Sequence, residues 1–182
     1  MKKRVLLPLA TGFEEIEAIT IADVLRRADV EVVLAGLEEL HVKGAHGIIV
    51  VADALFADLD GDTFDMIALP GGLPGAFHLA EHQGLQTLLK RFDTQHKSIA
   101  AICAAPYALK TAGVLKNSYT CYPSFETKIN HNGYDASQNI IVDQNITTSK
   151  GPSTAILFAL SLVEHLCGKE RTFRLKNELL FV

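Results

Sequence analysis

Three segments of this chain carry residue types that do chemistry, and each stands where an apolar run gives way to a helix-like stretch. Cys103 ends the run SIAAI and opens CAAPYALK. The residues two positions away on either side, Ala101 and Ala105, are small enough to permit the sharp turn of a nucleophile elbow. That turn lifts a side chain above a sheet and over a helix N-terminus, whose dipole and free N–H groups favour the reactive thiolate. Free cysteine is also among the most buried residue types, so position alone leaves a packing role open. Glu17 follows the first apolar run, amid Ile16, Ala18 and Ile19. A carboxyl in apolar surroundings has a raised pKa and can stay protonated, donating a hydrogen bond to a thiolate. Acids in a first helical turn ordinarily complement the helix dipole, which suits Glu14 and Glu15 better. LPGGLPGA (Leu69–Ala76) places Gly71 and Gly72 after a buried run, where backbone N–H groups can face a developing oxyanion. The same glycines also suit a plain turn.

Other patterns compete. His78, Glu81 and His82 match H-x-x-E-H, an inverted zinc-protease motif, but Gly84 cuts the helix short. Gly151-Pro152-Ser153-Thr154-Ala155 matches G-x-S-x-A, yet Pro152 favours a helix start capped by Ser153 or Thr154. Neither G-x-G-x-x-G nor G-x-x-x-x-G-K-[ST] occurs, so a dinucleotide or P-loop reading has no support. Cys121-Tyr122-Pro123-Ser124 can approach the same sheet edge as Cys103. No histidine adjoins Cys103, because Ala104 follows it, and His131 falls in a surface turn. Cys167, near the end of an amphipathic helix, reads as structural.

The elements that must position these residues alternate. Arg4–Leu9 reads as a strand and Glu14–Ala28 as a helix, with Ala18, Ile21, Leu25 and Ala28 on one face. Val30–Leu34 is a strand, and His41–Val51 a hairpin. Phe64–Leu69 is a buried strand, Gly84–Asp93 a helix, and Ser98–Ile102 a buried strand passing at once into a helix that ends near Gly113. Ser118–Cys121, Ile140–Val142 and Ile146–Thr148 read as short strands. Pro152–Leu166 and Lys169 to about Leu180 read as helices. Alternating strands and helices imply a doubly wound α/β sheet, in which ligands sit beyond the carboxyl ends of the strands.

The 182 residues suit one domain and carry 17 Lys+Arg against 21 Asp+Glu, a formal charge of −4. That balance argues against nucleic acid, which selects a basic face. No apolar run reaches the ~18 residues of a membrane helix. Val5–Ala10, broken by Pro8, is too short for a secretory signal. The three cysteines form no CxxC and fit a reduced, cytoplasmic thiol pattern rather than a disulfide framework or zinc site.

GFEEIEA, LPGGLPGA, AAICAAPYAL and TTSKGPSTA occur in order across essentially the whole chain. Together they resemble the ThiJ/PfpI superfamily, in its Parkinsonism-associated deglycase branch. The resemblance implies a flavodoxin-like α/β sandwich with a mostly parallel sheet, assembled as a homodimer. It implies Cys103 as nucleophile and oxidation-prone thiol, and Glu17 as its protonated partner and general acid/base. It implies an oxyanion pocket from the N–H groups of Gly72 and Ala104, beside Gly71. Activities attached to the branch are glutathione-independent glyoxalase, protein deglycation and redox-regulated chaperone-like protection. The family's proteases place His directly after the Cys, where Ala104 stands here, which argues against proteolysis. Tyr122 occupies a position that is often His in the branch, and a phenol is a poorer base at neutral pH. Ser153 stands where the branch often has Gly, tightening that loop.

The expectation is a cysteine-dependent enzyme acting on glyoxal, methylglyoxal or their protein adducts, without glutathione, metal or organic cofactor. The competing expectation is a non-enzymatic redox sensor or chaperone in which Cys103 is oxidised to a sulfinic acid. The same residues serve both.

Overall fold

The structure is a computed structural model and describes residues 2–181. Its centre is set by apolar runs too continuous to alternate inside and out. These are β1 (Arg4–Leu9), β6 (Met66–Leu69) and β7 (Ser98–Ile102), whose Leu6, Leu7, Ile67 and Ile99 are fully buried. Such runs are stable as parallel strands covered on both faces. With β2 (Glu31–Gly36), β5 (Ala54–Leu55), β8 (Ile140–Asp143) and β9 (Ile146–Ser149) they form a seven-stranded sheet of order β5-β2-β1-β6-β7-β9-β8. Every pairing is parallel except β8 with β9. Without its edge strands, the order 2-1-6-7-9 is the flavodoxin-like winding, with the chain reversing direction beside β1. The expected hairpin forms apart from this sheet, as β3 (His41–Lys43) paired with β4 (Ile49–Val51).

Helices cover the sheet in two groups. α1 (Glu15–Arg27), α6 (Ala155–Cys167) and α7 (Lys169–Glu178) pack together. α2 (Gly75–Glu81), α3 (Gln83–Thr94) and α4 (Pro106–Ala112) form the second group, with short α5 (Glu126–Ile129) against α4. In α1 the predicted spacing buries Ala18, Ile21 and Leu25, the stripe that faces α6 and the sheet.

Three local expectations are corrected. Ser118–Cys121 is not a strand. Tyr119 makes only an isolated bridge to Tyr134, and the Thr120 N–H goes to the Thr148 hydroxyl at 3.0 Å rather than to a backbone ladder. The helix after Cys103 starts at Pro106, so residues 103–105 are turn. The helix predicted from Pro152 starts at Ala155, because Pro152–Thr154 is a separate 3-10 turn. The Thr154 hydroxyl, expected as a cap, instead donates back to the Gly151 carbonyl at 2.9 Å, and Ser153 is exposed.

Pro8 has a visible effect on the sheet. Its ring removes a backbone donor. The ladder between β1 and β6 covers only Val5–Met66 and Leu6–Ile67, ending before Pro8, while pairing with β2 runs the length of β1.

Ile67 sits between Leu6 and Ile99 in the most buried part of the sheet. Ile67→Ala is expected to cost about 2–5 kcal/mol in urea unfolding; a loss under 1 kcal/mol would contradict the packing described.

Candidate active site

The carboxyl ends of β1, β6 and β7 bring Glu17, Gly71 and Cys103 together. Cys103 has φ of +65°, a left-handed conformation unusual for a side-chain-bearing residue and costing on the order of 1 kcal/mol. Its N–H donates to the Ser149 carbonyl at 2.9 Å, and its carbonyl accepts from the Tyr122 N–H at 2.9 Å. Ala101 and Ala105 on either side are fully buried, as the tight turn requires. Cys103 is 8% exposed.

Glu17 is fully buried, but not by its sequence neighbours: Ile16 and Ile19 point outward. Its cover comes from the ends of β6 and β7. The Gly71 N–H donates to Glu17 Oε2 at 2.7 Å, and the Gly71 carbonyl accepts from the Glu14 N–H at 2.9 Å. Glu14 caps α1, accepting from the Glu17 N–H at 2.8 Å. Among the described residues Glu17 Oε1 has no hydrogen-bond partner, and the carboxyl sits against the Cys103 thiol. Gly71 permits this approach: a Cβ there would stand 2.7 Å from Cys103 Cβ and 2.9 Å from Glu17 Oε2.

The electrostatics follow from burial. Loss of solvent raises the Glu17 carboxyl from 4.5 to about 7, against the Gly71 N–H and the thiol, which favour its charge. Burial, then the neighbouring Glu17 charge, also pushes the Cys103 thiol well up, offset in part by the N–H groups of Gly72 and Ala104. The expected thiolate over a helix N-terminus is therefore corrected. The sulfur lies in the turn before α4, and burial outweighs the two N–H groups. The titratable group against the sulfur is the Glu17 carboxyl. Gly71 is corrected too: its N–H is committed to Glu17, leaving those of Gly72 and Ala104 to face the sulfur.

Other candidates fall elsewhere. His78 Nδ1 donates to the Thr11 carbonyl at 3.0 Å, and His82 caps α3 by accepting from the Leu85 N–H at 3.0 Å. They border a cavity of about 330 Å³ at the ends of β1 and β2, which none of Cys103, Glu17 or Gly71 lines. Among the described residues, the cluster with metal-ligand spacing is instead Glu14, Glu15 and His46. Its groups already bind one another, since buried Glu15 accepts from the His46 N–H at 2.7 Å and meets His46 Nδ1 at 2.9 Å. Burial opposes the Glu15 charge, yet these bonds hold its pKa below the usual range and raise that of exposed His46. This clasp docks the hairpin on α1. Sequence reasoning missed the role of His46 in the clasp and weighed Gly151 only as part of a helix start, not as a neighbour of the Cys103 sulfur. The signal for Gly151 was its place in TTSKGPSTA; nothing in the sequence paired His46 with Glu15.

Fold and site together define an α/β protein that carries a buried cysteine and carboxyl pair at the carboxyl edge of a flavodoxin-like sheet. The profile of the DJ-1/PfpI family matches residues 3–165, and the chain belongs to that family. Protein DJ-1 homolog B from Arabidopsis thaliana is 41% identical over 180 residues, covering 97% of this chain and 41% of that protein. The chain thus spans less than half the length of that relative. The glutathione-independent glyoxalase DJR-1.2 of Caenorhabditis elegans is 42% identical over 163 residues, 87% of this chain and 86% of that protein. The crystal structure of Drosophila melanogaster DJ-1beta superposes with a TM-score of 0.96 at 39% identity, covering 100% of both chains.

A carboxyl whose native pKa is raised binds its proton more tightly folded than unfolded. Glu17 therefore makes stability fall as pH rises from about 4.5 to about 7, by about 3 kcal/mol over that window. Urea melts at pH 5 and pH 8 should show this loss in the wild type and not in Glu17→Gln; equal losses would refute the buried-acid account. Gly71→Ala should abolish selective alkylation of Cys103, because its methyl group has no room between thiol and carboxyl.

Proposed function

We propose that this chain converts small reactive carbonyls, glyoxal and methylglyoxal, to hydroxy acids without glutathione, using Cys103 as nucleophile and Glu17 as general acid/base. The observation that carries the reading is the buried pair itself. A carboxyl near pKa 7, with one oxygen unpartnered, lies against a thiol that needs a base. The likeness to a glyoxalase over most of both chains supports it.

The chemistry balances on these groups alone. Cys103 Sγ bonds to the aldehyde carbon of methylglyoxal, and the thiol proton passes by way of Glu17 to the aldehyde oxygen, giving a hemithioacetal. Glu17 carboxylate removes the hydrogen on that carbon as a proton and delivers it to the adjacent keto oxygen, giving an enediol. Reprotonation at the former keto carbon, with loss of the hydroxyl proton beside sulfur, leaves a lactoyl thioester. Water attacks the thioester carbonyl, whose oxyanion meets the N–H groups of Gly72 and Ala104. The sulfur leaves with a proton and lactic acid is released. The sum is methylglyoxal plus water to lactic acid. Adducts of the same aldehydes with protein amines supply the same carbon to the thiol, which is the deglycase form of the reaction.

We place the protein in the cytoplasm as a homodimer. Three free thiols fit a reducing compartment, and no helix among the described residues is long and apolar enough to cross a membrane. Ile16 and Ile19 of α1 and Ile48, Ile49 and Val51 of the hairpin supply exposed apolar surface for a second copy.

Purified wild type should consume methylglyoxal without glutathione and form lactate, and Cys103→Ser should not. Full turnover in Cys103→Ser would end this mechanism; no turnover in either protein would return the redox-sensor reading. Since the working pair carries one proton, kcat/KM should rise as pH passes about 7, where a second proton is lost. Glu17→Gln should lose that limb and about 100-fold or more in rate.

A further inference from the structure

The aromatic side chain beside the thiol has no role in the steps above. Tyr122 is half exposed, yet its backbone is tied to the nucleophile through the 2.9 Å bond from its N–H to the Cys103 carbonyl. Its ring lies along Gly151. A Cβ at Gly151 would stand 3.3 Å from Tyr122 Cδ2, 3.8 Å from Cε2 and 3.9 Å from Cys103 Sγ. Ring and sulfur therefore both border the space beside the bare Cα.

The glycine is firmly held. Its N–H donates to Thr154 Oγ1 at 3.2 Å, and its carbonyl accepts from the same hydroxyl at 2.9 Å. That buried hydroxyl also bonds Ser149 Oγ at 2.8 Å, and the Ser149 carbonyl receives the Cys103 N–H. One hydrogen-bonded system thus fixes the turn of the thiol and the floor under the ring. The φ of Gly151 is 166°, extended backbone open to any residue. A methyl group there would push the ring edge aside by a few tenths of an ångström and fill the space beside the sulfur.

We propose that Tyr122 and Gly151 form the specificity-determining mouth over Cys103. The flat ring laid against a bare Cα leaves a slot for thin, unbranched terminal aldehydes. Carbonyls that are branched or aryl-substituted beside the reacting carbon meet the ring edge. The choice of carbonyls rests on the function proposed above, but the restriction of access does not.

The test separates the two. Cys103 is alkylated with iodoacetamide and with N-phenylmaleimide, and modification is followed by mass spectrometry of the Cys103 peptide. Each rate is divided by that of free glutathione, and the preference for the small reagent is compared among variants. Tyr122→Ala should lower that preference about tenfold, the discrimination a misfitting group typically carries. Tyr122→Phe should keep it, and Gly151→Ala should raise it. A preference unchanged in Tyr122→Ala, lowered in Gly151→Ala, or lost in Tyr122→Phe would overturn the proposal. Ratios of kcat/KM for methylglyoxal over phenylglyoxal should follow the same order. If no variant turns over a carbonyl while the alkylation preference shifts as stated, the carbonyl reading falls and the mouth stands.

Discussion

A carboxyl group with no exposure to solvent and a single fixed donor is the constraint from which the site follows. Water would satisfy Glu17 far better than one backbone N–H, and burial of an unpaired charge is costly. The carboxyl answers by holding its proton up to about pH 7. The thiol beside it is likewise deprived of solvent and resists ionising. Neither group can be a free ion at low cost, but together they can pass one proton between them. The surrounding turns keep the two groups dry and close.

Those turns are joined reciprocally. Gly71 gives its N–H to Glu17 and takes the Glu14 N–H on its carbonyl, while the Glu14 side chain holds the Glu17 N–H. The end of β6 and the start of α1 thus fix one another through two bonds, and the third closes the first turn of α1. The Glu15–His46 clasp extends the same device outward to the hairpin. Glu14 and Glu15 serve as fasteners more than as dipole complements, which a reading of first-turn acids does not convey.

Much of this was legible in the sequence because it rests on local signals. Continuous apolar runs marked β1, β6 and β7, and the small residues flanking Cys103 marked its turn. Glu17 was picked out as a carboxyl with a raised pKa, but for an incorrect reason, since Ile16 and Ile19 face away from it. Its burial comes from Gly71 and Cys103, 54 and 86 positions later (71 − 17 and 103 − 17), a distance that periodicity cannot span. The thiolate expectation failed on the same ground. A helix N-terminus can be read from Pro106 onward, whereas desolvation depends on what the whole fold closes over the sulfur. Residues 118–121 failed because Thr148, from another strand, supplied the hydroxyl that replaced a ladder partner.

Pro8 gives the sheet a seam. Beyond Leu6 the strands β5, β2 and β1 form one leaf and β6, β7, β9 and β8 another, joined there by no ladder bond between β1 and β6. Glu17 is carried by the first leaf, and Gly71 and Cys103 by the second. The bonds of Gly71 with Glu14 and Glu17 are stitches across that seam. A force that spread the leaves would draw acid and thiol apart, which makes the spacing of the pair a gauge of tension in the sheet that bears it.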